Sequence, residues 1–246
     1  MFQFFVEKAA VQPTAVCIID ANLNHMKNVL RMKVGEQFYV SVKDDSCKYL
    51  CELEGYEEDM ARCHIIEAVE DTTELPCEIT LYQGLPKSDK MELIIQKAVE
   101  LGVSHIVPVG MERSVVKLDD KKAKSKIDRW NAIAESAAKQ SKRDVIPTIG
   151  AVLSYKQALG ACKEQDVIIL PFEHAEGMNQ TRKVLEGIEK GQSIAIFVGP
   201  EGGFSDKEIE LALAQDIHVI TLGKRILRTE TASLAILSML GYLLED

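Results

Sequence analysis

The stretch IAIFVGPEGGFSDKEIELALAQ (194–215), followed shortly by HVITLGKRILRTETASLAILSMLGYLL (218–244), decides the fold. Five apolar residues, 194–198, end in Gly199-Pro200-Glu201-Gly202-Gly203, and Ser205 with Glu208 then forms an S-x-x-E capping box. Ile209, Ala212 and Leu213 supply the stripe by which a helix buries itself. The order strand, glycine-rich loop, helix start puts the loop at the carboxyl end of a strand, where open α/β sheets hold their ligands. A second short strand, 218–222, ends in the loop Gly223-Lys224-Arg225-Ile226-Leu227-Arg228-Thr229-Glu230. Two such loops on neighbouring strands make a crevice. Glycines let a ligand approach the backbone. Their spacing is neither G-x-x-x-x-G-K-[ST] nor G-x-G-x-x-G, which disfavours a nucleoside-triphosphate loop and a dinucleotide loop. Alone, the first loop reads equally well as a tight strand-to-helix turn.

Working outward, the same alternation of strand and helix continues upstream. Residues 77–83, 105–109 and 166–171 read as strands, and 127–138 reads as a basic helix. Ser88 is expected to cap a helix whose apolar face is Met91, Ile94, Ile95 and Ala98, with Gly102 closing it. This pattern predicts a mainly parallel sheet. Phe172-Glu173-His174 would then be a third loop on the same edge. Residues 1–72 differ: strands at 2–6, 15–19, 37–42, 49–53 and 61–69 and one helix over 22–32, capped by Asp20 or Asn22, suggest a small barrel. Between the two patterns, Glu70-Asp71-Thr72-Thr73-Glu74-Leu75-Pro76 is polar, charged and closed by proline, the composition of a linker.

Composition narrows the function classes. The chain is 46% hydrophobic and 27% charged, as soluble globular proteins are, and 246 residues suffice for two modest domains. The net charge of −9 argues against indiscriminate coating of nucleic acid. Yet nine Lys or Arg stand against four acids over 117–143, a solvated helix face or an RNA-facing patch. Six cysteines without C-x-x-C and five dispersed histidines imply no metal. The apolar run 234–244 is too short to span a bilayer, and MFQFFVEK lacks the regions of a secretion signal, so a cytoplasmic location is expected. Trp130, among Ile127, Ile133 and Ala134, reads as a core anchor.

GPEGGFSDKE (199–208) together with LGKRILRTETA (222–232) resembles the paired signature of the SPOUT methyltransferases, specifically the ribosomal RNA small-subunit methyltransferase E family. The resemblance extends to GLPKSDKMELIIQKAVELGV (84–103), ERSVVKL (112–118), KQSKR (139–143) and NHMKNVLRM (24–32). Departures are Ser136 and Lys139, where that family commonly has acids, and Gln3, where many members carry Arg. The resemblance implies an α/β chain with a PUA-like RNA-binding β-barrel (1–72), then a SPOUT domain (73–246) whose parallel sheet ends in a C-terminal trefoil knot. It implies methylation of N3 of a specific uridine in 16S rRNA, with S-adenosylmethionine as cofactor.

On that reading Gly199, Glu201, Gly202, Leu222, Gly223, Ile226 and Leu227 bind the cofactor, the three apolar side chains suiting an adenine slot. Arg228 would stabilise charge on the base, and Glu230 would accept the proton or hold Arg228; the rival reading of Glu230 is an Arg-Glu pair capping the last helix. His25, Arg31, Lys33, Lys87, Arg113 and Arg143 are the candidates for RNA contact, solubility being the alternative for those near 25–33. The expected partner is 16S rRNA within the small subunit. The helix 232–244, apolar nearly all round, predicts burial on more than one side, and family habit predicts a homodimer. A ribose 2′-hydroxyl acceptor and a non-catalytic RNA-binding role are the competing readings.

Overall fold

In the computed structural model, residues 1–43, 45, 47–70, 72–175 and 177–245 are described. Asp71 of the expected linker lies outside them. The chain forms two compact units, residues 1–74 with 138–146, and residues 75–137 with 147–246. Segment 138–146 therefore clusters with the N-terminal unit, which a division of the sequence at one point does not capture.

The N-terminal unit is built from β1 (Gln3–Val6), β2 (Ala15–Ile19), β3 (Gln37–Val42), β4 (Lys48–Tyr56) and β5 (Met60–Val69), in sheet order β1-β3-β4-β5-β2. Only the β1–β3 pair is parallel. Register shifts at Leu50/Cys51 and Leu53/Gly55 curl the sheet, as bulges do. Phe4 meets Phe38 edge-on at 5.4 Å within a core that includes Ile18, Met26, Val40 and Leu53. Among the described residues no pairing joins β1 to β2, so the expected barrel is a curled, open half-barrel. Burial pushes the Cys51 and Cys63 thiols up to about 12, which makes them core hydrophobes rather than ligands.

The helix of this unit starts earlier than its sequence suggests. Helix α1 (Asp20–Asn24) runs into a wider π-type turn, His25–Val29. Neither expected cap acts: Asp20 itself has φ 53°, and the Asn22 side chain donates to Phe5 O at 2.7 Å. The need to tie the helix to β1 outcompetes local capping.

The second unit carries β6 (Glu78–Gly84), α2 (Lys90–Glu100), β7 (His105–Gly110), β8 (Thr148–Ile149), β9 (Leu153–Ser154), α4 (Tyr155–Ala161), β10 (Val167–Pro171), α5 (Met178–Glu186), β11 (Ser193–Val198), α6 (Asp206–Leu213), β12 (His218–Ile220) and α7 (Thr229–Leu244). Helix α3 (Asp120–Ser141) has its last turn in the other unit. The sheet order is β12-β10-β11-β6-β7-β8, with β9 also on β7, and every pairing is parallel. Strands β6 and β11 are buried almost throughout, as parallel strands covered on both faces must be. Tyr82 stacks on Phe197 at 4.6 Å, and Tyr155 meets the latter edge-on. Trp130 is buried at 3% exposure.

Local expectations fail where tertiary contacts compete. Ser88 does not cap α2; it holds φ 55°, and Asp89 precedes the helix. The other end behaves as expected: Gly102 at φ 90° closes a Schellman turn, with Val103 N–H donating to Ala98 O. Of the expected stripe, Ala212 is buried and Ile209 packs against the core, but Leu213 is 62% exposed and α6 buries Glu208 instead. Helix α7 buries Ile236, Leu237, Leu240 and Leu244 on one side and leaves Tyr242 and Leu243 exposed. The expected burial on several sides is absent in the single chain.

Candidate functional site

Strands β12, β10, β11 and β6 are adjacent and parallel, so the loops that follow them share one edge. The chain leaves β6 toward β7 and leaves β11 toward β12, on the opposite side, which is the strand-order reversal where open α/β sheets place ligands. The loops after β11 and β12 are not on neighbouring strands as expected, because β10 lies between them. Its Pro171 and Phe172 fill the gap. Together the three loops line a cavity of about 430 Å³, within the range of small-molecule sites.

Sequence explains how the first loop is held. Strand β6 ends in Gly84, where a Cβ would stand 2.6 Å from the Pro200 nitrogen, so only glycine lets the two strand ends meet. Beside it, fully buried Gln83 donates through Nε2 to Thr229 Oγ1 at 2.9 Å and accepts from Ser233 Oγ at 2.6 Å. Thr229 Oγ1 in turn donates to Gly199 O at 2.6 Å. The first turn of α7 is thereby bonded to both β6 and the glycine loop. Such a satisfied buried network fixes one arrangement of β6, the glycine loop and α7.

The capping box at α6 forms as read. Ser205 Oγ accepts from Glu208 N–H, and Glu208 accepts from Ser205 N–H at 2.8 Å. Glu208 also accepts Glu112 N–H at 2.9 Å. Arg113 Nη1 donates to Gly202 O at 3.1 Å, so the segment after β7 braces the glycine loop from outside.

All seven residues expected to bind the cofactor line the cavity. Leu222 and Leu227 are half-buried, while Ile226 is 80% exposed, an apolar lip rather than a wall. Val198, Pro171, Phe172 and Phe204 add to the apolar lining. Arg228 lies on the wall, exposed, and no ion pair or hydrogen bond of its side chain is found among the described residues. Glu230 is not on the wall. It pairs with Lys90 at 3.3 Å, so the expected Arg228–Glu230 pair is not formed. Lys90 also reaches Glu201 at 3.1 Å, and Glu201 accepts Lys87 N–H at 3.0 Å.

These contacts set the charges. Hydrogen bonding to Glu201 holds the Lys90 ammonium above its ordinary range. For Glu201, burial pulls upward, but backbone N–H groups, that of Lys87 among them, and the Lys90 charge win and keep the carboxyl below its ordinary value. Both groups are therefore ionised at neutral pH.

The residues expected to contact RNA divide. His25, Arg31 and Lys33 are exposed on the N-terminal unit, with Arg31 at φ 54° and His25 edge-on to Phe4 at 6.0 Å. Lys87 is exposed beside Glu201, and Arg113 is half-exposed. Arg143 is a correction. It is 4% exposed and its guanidinium is bonded to Glu74, whose carboxylate also accepts Asp144 N–H at 2.9 Å. A buried, paired guanidinium is not available to a phosphate. Three participants escaped the sequence reading: Lys90 as a charge on the wall, the Gln83–Thr229–Ser233 network, and Pro171. Lys90 carried one signal, a cation in the first turn of a helix, where the backbone dipole disfavours it. The other two depend on strand order, which no local pattern encodes. Among the described residues no group of His, Cys, Asp or Glu converges as metal ligands do.

Two family patterns match the chain: an RNA methyltransferase domain over residues 73–241 and an RNA methyltransferase PUA domain over residues 18–59. The ribosomal RNA small subunit methyltransferase E of Bacillus subtilis is 39% identical over 98% of this chain and 96% of its own. The crystal structure of a ribosomal RNA small subunit methyltransferase E from Neisseria gonorrhoeae, bound to S-adenosylmethionine, superposes with a TM-score of 0.81 at 30% identity, covering 97% of this chain and 96% of that one. A Legionella pneumophila protein solved with the same cofactor gives 0.82 at 30% identity, covering 98% and 97%.

Proposed function

This chain belongs to the ribosomal RNA small subunit methyltransferase E family, and on that premise we propose that it methylates N3 of one uridine in 16S rRNA, using S-adenosylmethionine. The observation that carries the proposal is a cavity of about 430 Å³ lined by glycine backbone and leucines, with the exposed Arg228 on its wall. When bound, the cofactor supplies a methyl group on a positively charged sulfur.

The residues fit that group. Leu222, Leu227 and Val198 offer an apolar slot, Gly199, Gly202 and Gly223 offer backbone without side chains, and Glu201 offers a fixed negative charge. Ile226 at the lip would keep water from the reacting centre. N3 must give up its imide proton to solvent, and the charge left behind spreads onto the base oxygens, where the exposed Arg228 guanidinium would stabilise it. Alignment of N3 with the methyl group is the larger requirement. Glu230, tied to Lys90, is a weak base for so weak an acid, and its role on this reading is to fix the first turn of α7. N3 lies on the pairing edge, so the uridine must be unpaired or turned out of its stack.

The domain roles follow: residues 1–72 address the RNA and residues 73–246 transfer the methyl group. His25, Arg31, Lys33, Lys87 and Arg113 would contact phosphates, which position RNA without reading its sequence. The proposal includes the trefoil knot and a homodimer; exposed Tyr242 and Leu243 on α7 support the latter. The site of action would be the cytoplasm, where small subunits are. The test is single-nucleotide mapping of methyl groups on small subunits from a strain lacking this protein, treated with the purified chain and S-adenosylmethionine. One new N3-methyluridine is expected. A 2′-O-methyl product, or none despite cofactor binding, would overturn the acceptor assignment.

A further inference from the structure

We propose that Lys90 is a positioning residue of the cofactor site: its ammonium fastens the loop after β11 to the first turn of α7 and so sets the affinity for S-adenosylmethionine. This rests on the function proposed above. Lys90 lies on the cavity wall, 3.1 Å from Glu201 of the glycine loop and 3.3 Å from Glu230 of α7. One cation thus serves two carboxylates that are distant in sequence and come from the two segments bounding the cavity.

Local physics argues against a lysine at this position. It is the first residue of α2, where the helix dipole repels a cation and favours an anion. A residue that breaks a local rule is expected to have a tertiary reason. The preceding turn carries a second such cost, since Ser88 holds φ 55°, a left-handed value that side chains disfavour. Around that turn, the Lys87 N–H and the Lys90 ammonium both end on Glu201. The same short segment therefore grips one carboxylate from backbone and side chain. Removing the ammonium would leave Glu201 and Glu230 near one another without a counter-charge, and their repulsion would spread the two loops. Lys90 would touch neither methyl group nor base, so it acts through these carboxylates.

The test is titration of the full-length protein with S-adenosylmethionine by calorimetry, with steady-state kinetics on small subunits. Lys90→Met is expected to bind the cofactor roughly tenfold more weakly, the scale of a charge-assisted contact that is partly solvent-screened. KM for the cofactor should rise while kcat stays within about threefold, because the interaction is made equally before and during reaction. Lys90→Arg should restore most of the affinity. In the double variant Lys90→Met with Glu201→Gln the losses should fall short of additive, since each removes the same contact. Cofactor affinity of Lys90→Met within twofold of wild type, or strict additivity with Glu201→Gln, would overturn the inference while leaving the proposed function standing. Absence of binding by the wild-type chain would overturn both.

Discussion

Segment 142–146 and loop 223–228 read alike, each mixing basic residues with two apolar ones, yet the fold puts them to opposite uses. In the first, Arg143 is buried on Glu74 and Asp144 is buried on Lys48 at 2.8 Å, with Gln3 donating to Arg143 O. In the second, Lys224, Arg225 and Arg228 are exposed and no carboxylate pairs with them among the described residues. The difference lies in what anions are within reach. Glu74 is drawn onto the first segment, whereas Glu230, the acid nearest to Arg228 in sequence, is held by Lys90. A cation in the sequence can meet an incoming negative charge only where folding leaves it unneutralised.

The contrast can be broken by experiment. Arg228→Ala should lower the methylation rate by about 10²–10³-fold, the usual result of deleting one stabiliser of developing charge, with an unchanged melting temperature. A rate loss matched by a melting loss would make Arg228 structural and erase the distinction. Arg143→Ala should do the reverse. Leaving Glu74 without its partner is expected to cost about 3 kcal/mol in urea denaturation, while folded protein at low temperature keeps its activity.

Gln83→Leu asks whether neutral groups follow the same rule. Removing the Gln83 bonds to Thr229 and Ser233 should cost about 1–3 kcal/mol and weaken cofactor binding, because Gln83 holds the Thr229 hydroxyl that bonds Gly199 of the glycine loop. Unaltered affinity would show that the loops hold without it. The smallest effect is expected from Lys33→Ala, an exposed cation of the N-terminal unit. Stability should change by less than about 0.5 kcal/mol. If Lys33 meets a phosphate, the slope of log affinity against log salt should fall by about 0.7–0.9; an unchanged slope would remove it from the RNA face.

The sequence by itself determined the parallel α/β unit, the strand–loop–helix at 194–215 with its capping box, the buried Trp130 and seven residues of the cavity wall. These are readable because they rest on short-range facts: apolar periodicity, a cap three residues from its partner, glycines at a strand end. It also suggested the change of architecture near residue 72, since short strands and alternating helices differ in pattern. Tertiary structure alone decided the rest. That β10 separates β11 from β12, that segment 138–146 clusters with the N-terminal unit, that Lys90 takes Glu230 from Arg228, and that Arg143 is interred are all consequences of partners far apart along the chain. A local pattern records what a residue prefers. Which distant group satisfies that preference is settled by strand order and by competition for a few carboxylates, and those exist only once the chain has folded.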